Sequence, residues 1–337
     1  MNRLTGKKIV QFSMDYAIYI VLICIFVIMV MIDPTLLTMK NMTFILSQAS
    51  TRVILALGVA GIIVLGNTDL SLGRSVGMAG ILAASLLQAG DYSRRIFSNM
   101  PELPVWVPIL GSMLLCAAFS MAQCFFVAKL KVAPFIASLA FQLVLFGVQS
   151  IYFDVVNNSS PIGGLSDGYK NLAQGRFIIG DFELPYLIVY AAAIVFVIWF
   201  IWNKTVLGRS MFAIGGNSEA AAVSGINITR NMMLVYCIAG LLYGLGGSLE
   251  AARTGSAANT LGASYECDAI AACVAGGVSM RGGAGTVGGV VIGVLIFQLI
   301  NYGLVYLSVN PYLQYIIKGA IILFAVAIDT QKYNTKK

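Results

Sequence analysis

The sequence contains no histidine, and only 35 of its 337 residues carry charge, 21 basic and 14 acidic. The first absence removes the commonest general base and the commonest metal ligand. The second leaves too little polar surface to solvate a globule of this length. The six cysteines, Cys24, Cys116, Cys124, Cys237, Cys267 and Cys273, include no C-x-x-C pair and lie mostly in apolar runs, so they read as small buried hydrophobes. Eight prolines and 35 glycines without a period exclude a disordered or collagen-like chain. No G-x-x-x-x-G-K-[ST] string occurs, so the chain has no P-loop of its own for ATP.

What is present is apolar: 59% of residues are hydrophobic. A bilayer tolerates that content where water does not, and the pattern predicts an all-α integral membrane protein, a single transmembrane domain over 1–337. The net charge of +7 is accounted for by cytoplasmic loops beside anionic lipid, with no need for nucleic acid.

Apolar stretches predict about ten transmembrane helices: Tyr16–Ile32, Val53–Thr68, Ser75–Gly90, Val105–Ala128, Val132–Phe153, Pro185–Trp202, Asn231–Leu249, Ala269–Met280, Thr286–Leu304 and Tyr312–Ile328. A crossing needs about 20 helical residues. Ser75–Gly90 and Ala269–Met280 fall short and read as broken or re-entrant. Met1–Asp15, with Arg3, Lys7 and Lys8, reads as a retained cytoplasmic start. Both termini then lie inside. Thirteen basic residues fall on that side, among them Arg74, Lys129, Lys131, Lys204, Arg209, Arg230 and Arg281. Six, Lys40, Arg94, Arg95, Lys170, Arg176 and Arg253, fall outside.

Two regions interrupt the apolar pattern, one in each half. Gly66 to Arg74 places Asn67, Thr68, Asp69 and Ser71 between short apolar segments, and Gly276 to Gly289 is glycine-rich around Ser279, Gly282 and Gly283. Non-helical backbone at membrane depth is tolerated only where protein or a water-filled cavity satisfies it, so the pair points to a transport path. The competing reading is two cytoplasmic turns anchored by Arg74 and Arg281, with Asp69 paired to Arg74. Gly283-x-Gly285-x-x-Gly288 is a literal dinucleotide fingerprint, but no strand precedes it, and its glycines suit close helix packing.

The longest predicted inner loop, about 203–230, is too rich in structure for a plain connection. Asn217 or Ser218 is a good N-cap, Glu219 suits a helix start, Ala220 to Ala222 favour helix, and Gly225 suits a C′ stop. Such a two-turn helix is too short to stand alone. It serves either to dock in another protein's cleft or to pack on the membrane domain. On the opposite side, Asp154 to Glu183 is a long external segment suited to docking, and Glu250, Arg253, Glu266 and Asp268 add outer charge.

The string Ala213-Ile214-Gly215-Gly216-Asn217-Ser218-Glu219-Ala220-Ala221 with Ser224-Gly225-Ile226, the Asp69-Leu70-Ser71-x-Gly73 motif and the second glycine-rich break together resemble the permease subunits of ribose-type bacterial ABC sugar importers. The likeness covers nearly the whole chain. Within that family, Thr68 to Arg74, Tyr265 to Val274 and Asn310 to Ile322 are most similar to galactose/methyl-galactoside permeases. Gly66-Asn67 departs from the paired glycine of many relatives.

The resemblance implies a multi-pass permease of the bacterial inner membrane that catalyses no covalent step and binds no cofactor. ATP and Mg would belong to a separate cytoplasmic ATPase. It also implies a periplasmic sugar-binding protein, a second copy of the permease and alternating access for a small sugar such as galactose. On this reading Gly215, Gly216, Asn217, Ser218, Glu219, Ala220, Ala221 and Gly225 couple to the ATPase. Asn67, Asp69, Ser71, Gly73, Ser279, Gly282 and Gly283 are the path candidates. An ion-coupled secondary sugar transporter would need acids or bases at mid-membrane, where the spans offer only Asp69, Arg52 and Lys318 near their boundaries. A membrane enzyme would have only acid pairs such as Glu266 and Asp268, at a predicted outer surface.

Overall fold

A computed structural model describes residues 23–179 and 182–334. Helix α1 covers Ile23–Ile32, followed after a 3-10 turn at Pro34–Leu37 by α2 (Met39–Val64), α3 (Leu72–Leu86), α4 (Trp106–Ala128) and α5 (Pro134–Asn157). Next come α6 (Asp167–Gln174), a hairpin of β1 (Arg176–Ile179) and β2 (Phe182–Pro185), α7 (Tyr186–Lys204), α8 (Val206–Gly216) and α9 (Ser218–Val223). The chain ends with α10 (Ile228–Thr254), α11 (Tyr265–Ala275), α12 (Val287–Tyr306) and α13 (Pro311–Asn334).

Six of these, α2, α4, α5, α7, α10 and α12, are long and apolar enough to cross a membrane. The apolar helices α1, α3 and the Pro311–Phe324 part of α13 are shorter, and α11 has 11 residues. The expected N-terminal start and residues 16–22 of the expected Tyr16–Ile32 span lie outside the described residues. Helix α2 begins 14 residues before the expected Val53 boundary because Lys40, Asn41, Gln48 and Arg52 interrupt the apolar run without breaking the helix.

Local chemistry sets the boundaries. Asp33 Oδ1 accepts the Thr35 N–H at 2.9 Å ahead of the 3-10 turn. Pro134 occupies the first turn of α5, where its missing N–H costs nothing, and Asn158 in the left-handed region ends that helix. Thr286 Oγ1 accepts the Gly289 N–H at 3.1 Å to cap α12.

Helix α2 runs through the centre of the bundle, its Val53–Val64 stretch buried all round. It packs against α10, whose other face meets α4 backbone to backbone: a Cβ on Gly240 would lie 2.5 Å from Ala117 Cα. Helices α5 and α7 are peripheral and present large apolar side chains outward, as expected beside lipid.

At one end of the bundle lie α8 and α9. At the other, bridges Gln88–Leu165 and Ile162–Ala257 tie down the connection to α6 and the hairpin. The expected external segment from Asp154 to Glu183 is therefore partly structured. Its exposed Asp167 is bonded by Lys170 at 2.8 Å, and that hydrogen bond, reinforced by the lysine's charge, holds the carboxyl below its usual range. Cys116, Cys124 and Cys273 are buried as expected, whereas Cys24 and Cys267 are exposed and Cys237 is half-buried.

Candidate translocation path and coupling surface

After α2 ends, residues 65–71 run without regular helix back into the bundle before α3 begins. Asp69 in this stretch is fully buried. Its Oδ1 accepts the Ser71 N–H at 2.9 Å, lies 2.7 Å from Ser71 Oγ, and accepts Gln123 Nε2 of α4 at 3.2 Å. Its Oδ2 accepts the Tyr243 hydroxyl, near the middle of α10, at 3.1 Å. The positive end of α3 lies beside it, so the carboxylate is met by neutral donors and a helix terminus. Among the described residues Asp69 forms no ion pair. The pairing with Arg74 that belongs to the competing reading is absent: that guanidinium lies 4.1 Å above the Phe146 ring of α5 and donates to Asn259 O at 3.5 Å. Phe146 is midway along α5, so Arg74 is an interior residue of the bundle and no anchor at its end.

A further interruption lies outside the expected pair. The backbone leaves α10 at Gly255, runs without regular helix through 256–264, and only then starts α11. There Gly262 and Gly73 interlock: a Cβ on either would overlap the other's chain, and a Cβ on Gly73 would also strike the Glu266 carboxylate. The starts of α3 and α11 thus meet between the two ends of the bundle, each preceded by non-helical chain arriving from the opposite end. Sequence reading missed the 256–264 segment. Its available signals were Gly255, Asn259, Gly262 and Ser264 ahead of the short apolar run.

The glycine-rich stretch after α11 lies instead at the α8–α9 end. Ser279 is buried there within its own turn, its Oγ accepting the Arg281 N–H at 3.2 Å. The Gly283 N–H donates to Val64 O at 2.8 Å. A Cβ on Gly282 would fall 2.7 Å from Gly66 N and 2.8 Å from Gly215 O, and one on Gly283 would fall 2.7 Å from Gly216 Cα. A Cβ on Gly215 would overlap Val64 O and reach within 2.6 Å of Gly283 N. Three segments distant in sequence, 64–66, 215–216 and 282–283, therefore close on one another backbone to backbone. The path candidates separate accordingly: Asp69, Ser71 and Gly73 lie in the bundle interior, Ser279, Gly282 and Gly283 at its end, and Asn67 on the strand between.

Helix α9 follows directly from that junction. Asn217 Oδ1 accepts the Ala220 N–H at 3.0 Å, Glu219 stands in the first turn, and Gly225 at φ +82° supplies the left-handed stop. Gly225 N–H donates to Ala222 O and Ile226 N–H to Ala221 O, the paired bonds of a Schellman end. Ala221 is its single buried residue, while Val223 is 90% exposed. A capped helix presenting an apolar tip is open to contact from outside the chain.

A further polar cluster joins α2, α10 and α11. Buried Glu250 accepts Arg253 Nε at 3.0 Å and Nη2 at 2.8 Å, Thr51 Oγ1 at 2.8 Å and the Tyr265 hydroxyl at 2.9 Å. The Arg52 guanidinium lies 3.1 Å from the Tyr265 ring centroid. Glu250 and Glu266, read from sequence as outer surface, are both buried. Asp268 is half-buried and paired with Lys318 at 3.2 Å. Charges that hydropathy assigns to a loop are here retained by internal partners.

A helical bundle with six helices long and apolar enough to cross a membrane, interrupted helices meeting in its interior and a small capped helix at one end is the architecture of a multi-pass membrane protein. Residues 41–326 match the family described as branched-chain amino acid transport system / permease component, and the chain belongs to that family of ABC transporter permeases. It is 48% identical, over the full length of both chains, to the galactose/methyl galactoside import permease protein MglC of Escherichia coli. It is 35% identical to the ribose import permease protein RbsC of the same species, over 95% of this chain and 94% of that one. The RbsC protein of Bacillus subtilis is 35% identical over 91% and 89%. No solved structure matches significantly. The protein is accordingly a permease component of that transporter family.

Proposed function

We propose that the chain imports galactose or a methyl galactoside across the bacterial inner membrane by alternating access. On this reading a separate ATPase with its ATP and Mg docks on α9, and a periplasmic sugar-binding protein delivers sugar at the hairpin end. Two copies form the working unit. The full-length likeness to MglC proteins supports the substrate. The observation that carries the mechanism is the junction of Gly215 with Val64 and Gly283, which joins the segment leading into α9 to the chain entering both α3 and α12.

Because those contacts are backbone on backbone, little side-chain slack is available to absorb a displacement of α8–α9. ATP-driven closure of the ATPase would move α9, and the junction would carry that motion to the 65–71 strand holding Asp69. Hydroxyl, amide and backbone groups suffice along the path, since tight recognition rests with the delivering protein, and weak sites release substrate readily. The test is uptake of labelled galactose by proteoliposomes holding the permease, its ATPase and the binding protein. Uptake is expected only with ATP on the ATPase side and with all three proteins present. Uptake by the permease alone, driven by an ion gradient, would overturn the reading.

A further inference from the structure

At the end of the bundle opposite α8–α9, two recesses follow one another down α2. The first is a cavity of about 320 Å³ bounded by α2, the end of α6, the hairpin and the end of α10. Thr43, Ser47, Gln174, Arg176 and Arg253 line it. Arg253 is largely buried, and Glu250 takes its Nε at 3.0 Å and its Nη2 at 2.8 Å, which leaves Nη1 available. Arg176 is held on the hairpin by Glu183. Two guanidinium groups fixed by carboxylates, with hydroxyl and amide donors in the same cavity, suit a phosphate, whose oxygens accept from several directions.

The second recess is an open groove of about 510 Å³ between α2, α7 and α12. It begins where the cavity ends: Ser47 of the cavity adjoins Leu46 of the groove, and Pro185 of the cavity leads into α7, whose Ile188 is the first groove residue on that helix. Leu46, Val53, Ile188, Ala192, Trp199 and Leu295 are among its walls, and its Ser50 hydroxyl is spent on Leu46 O at 2.7 Å. From Ile188 to Trp199 the groove follows about 16 Å of helix, close to half of a hydrocarbon core roughly 30 Å thick. It has the depth of one leaflet.

We propose that these recesses together bind a diacyl phospholipid of the leaflet on the hairpin side, its phosphate held by Arg176 and Arg253 and an acyl chain laid in the groove. A free anion would leave the groove uncovered, and a hydrocarbon chain alone would leave the arginines and Ser47 without an acceptor. A molecule with both parts satisfies both. Seated there, the lipid bridges the hairpin and α10 to α7 and α12. The site lies apart from the path candidates and does not depend on which sugar is carried.

The experiment uses the permease–ATPase complex, purified in mild detergent, delipidated and offered three probes: dioleoyl phosphatidylglycerol, dioleoylglycerol and inorganic phosphate. Native mass spectrometry counts bound molecules, and thermal denaturation reads stabilisation. The phospholipid is expected to stay bound and to raise the melting temperature, and the other two are not. Arg176→Gln, on the exposed hairpin, should weaken phospholipid binding by at least about tenfold, as for loss of a charge-assisted hydrogen bond. Ala192→Trp, at an exposed groove position, should abolish it while leaving ATPase copurification and the melting temperature of the delipidated complex unchanged. Equal retention of dioleoylglycerol, retention of phosphate without tails, or phospholipid binding indifferent to the two substitutions, as when a protein segment fills the groove, overturns the proposal. Sugar takes no part in these readouts, so failure here is distinguishable from failure of the galactose reading.

Discussion

Asp69 is a carboxylate closed off from solvent whose hydrogen-bond partners are all neutral: Ser71, Gln123 and Tyr243. Its role in this geometry is to pin a non-helical strand to α4 and α10. Asp69→Ala would strand the donors that now point at it, at about 1–3 kcal/mol for each buried group left unpaired. The expected result is a marked drop in the detergent melting temperature. Asp69→Asn keeps one oxygen for Ser71 and Gln123 and should lose much less. Equal loss from the two variants would assign the effect to charge and not to bond geometry. Asp69 was legible from sequence as an ionisable residue between apolar segments. Its partners were not, because Gln123 and Tyr243 stand in runs that hydropathy reads as ordinary span.

At the scale of elements, the neighbouring glycines 215 and 216 make a controlled comparison. A Cβ at Gly215 overlaps Val64 O, while one at Gly216 meets nothing within 4 Å. Gly215→Ala is therefore expected to prise α8 from the α2 and 282–283 backbones and to lose most sugar uptake, with ATPase copurification retained because α9 keeps its Asn217 cap. Gly216→Ala should transport normally. Similar uptake by both would remove the junction from transmission. Helix α9 itself was readable residue by residue, since caps, alanines and a stop glycine are local signals acting over one or two turns. The α3–α11 meeting was not, because interlocking Gly73 with Gly262 depends on packing across nearly two hundred residues of chain.

For the whole molecule, the excess of basic residues predicts that the α8–α9 end faces the cytoplasm. Arg74 leaves that tally, since it lies midway along α5, but Lys129, Lys131, Lys204, Arg209 and Arg230 remain at or near that end. Single cysteines placed at Ser218 and at Lys170 should be labelled by an impermeant reagent from opposite sides of the membrane, Lys170→Cys from outside intact cells. Labelling of Ser218→Cys from outside would invert the topology and disconnect α9 from any cytoplasmic ATPase.

Composition and apolar run length by themselves determined that this chain lives in a membrane as helices, and short motifs determined its family and its capped helix. Both are properties of adjacent residues: transfer from water depends on local apolar content, and caps act within a few positions. Tertiary structure alone decided that a further interruption before α11 meets the start of α3, that Glu250 and Glu266 turn inward, and that three glycine segments close on one another. Those outcomes depend on which backbones can approach once side chains are absent, and that is settled only when the helices pack.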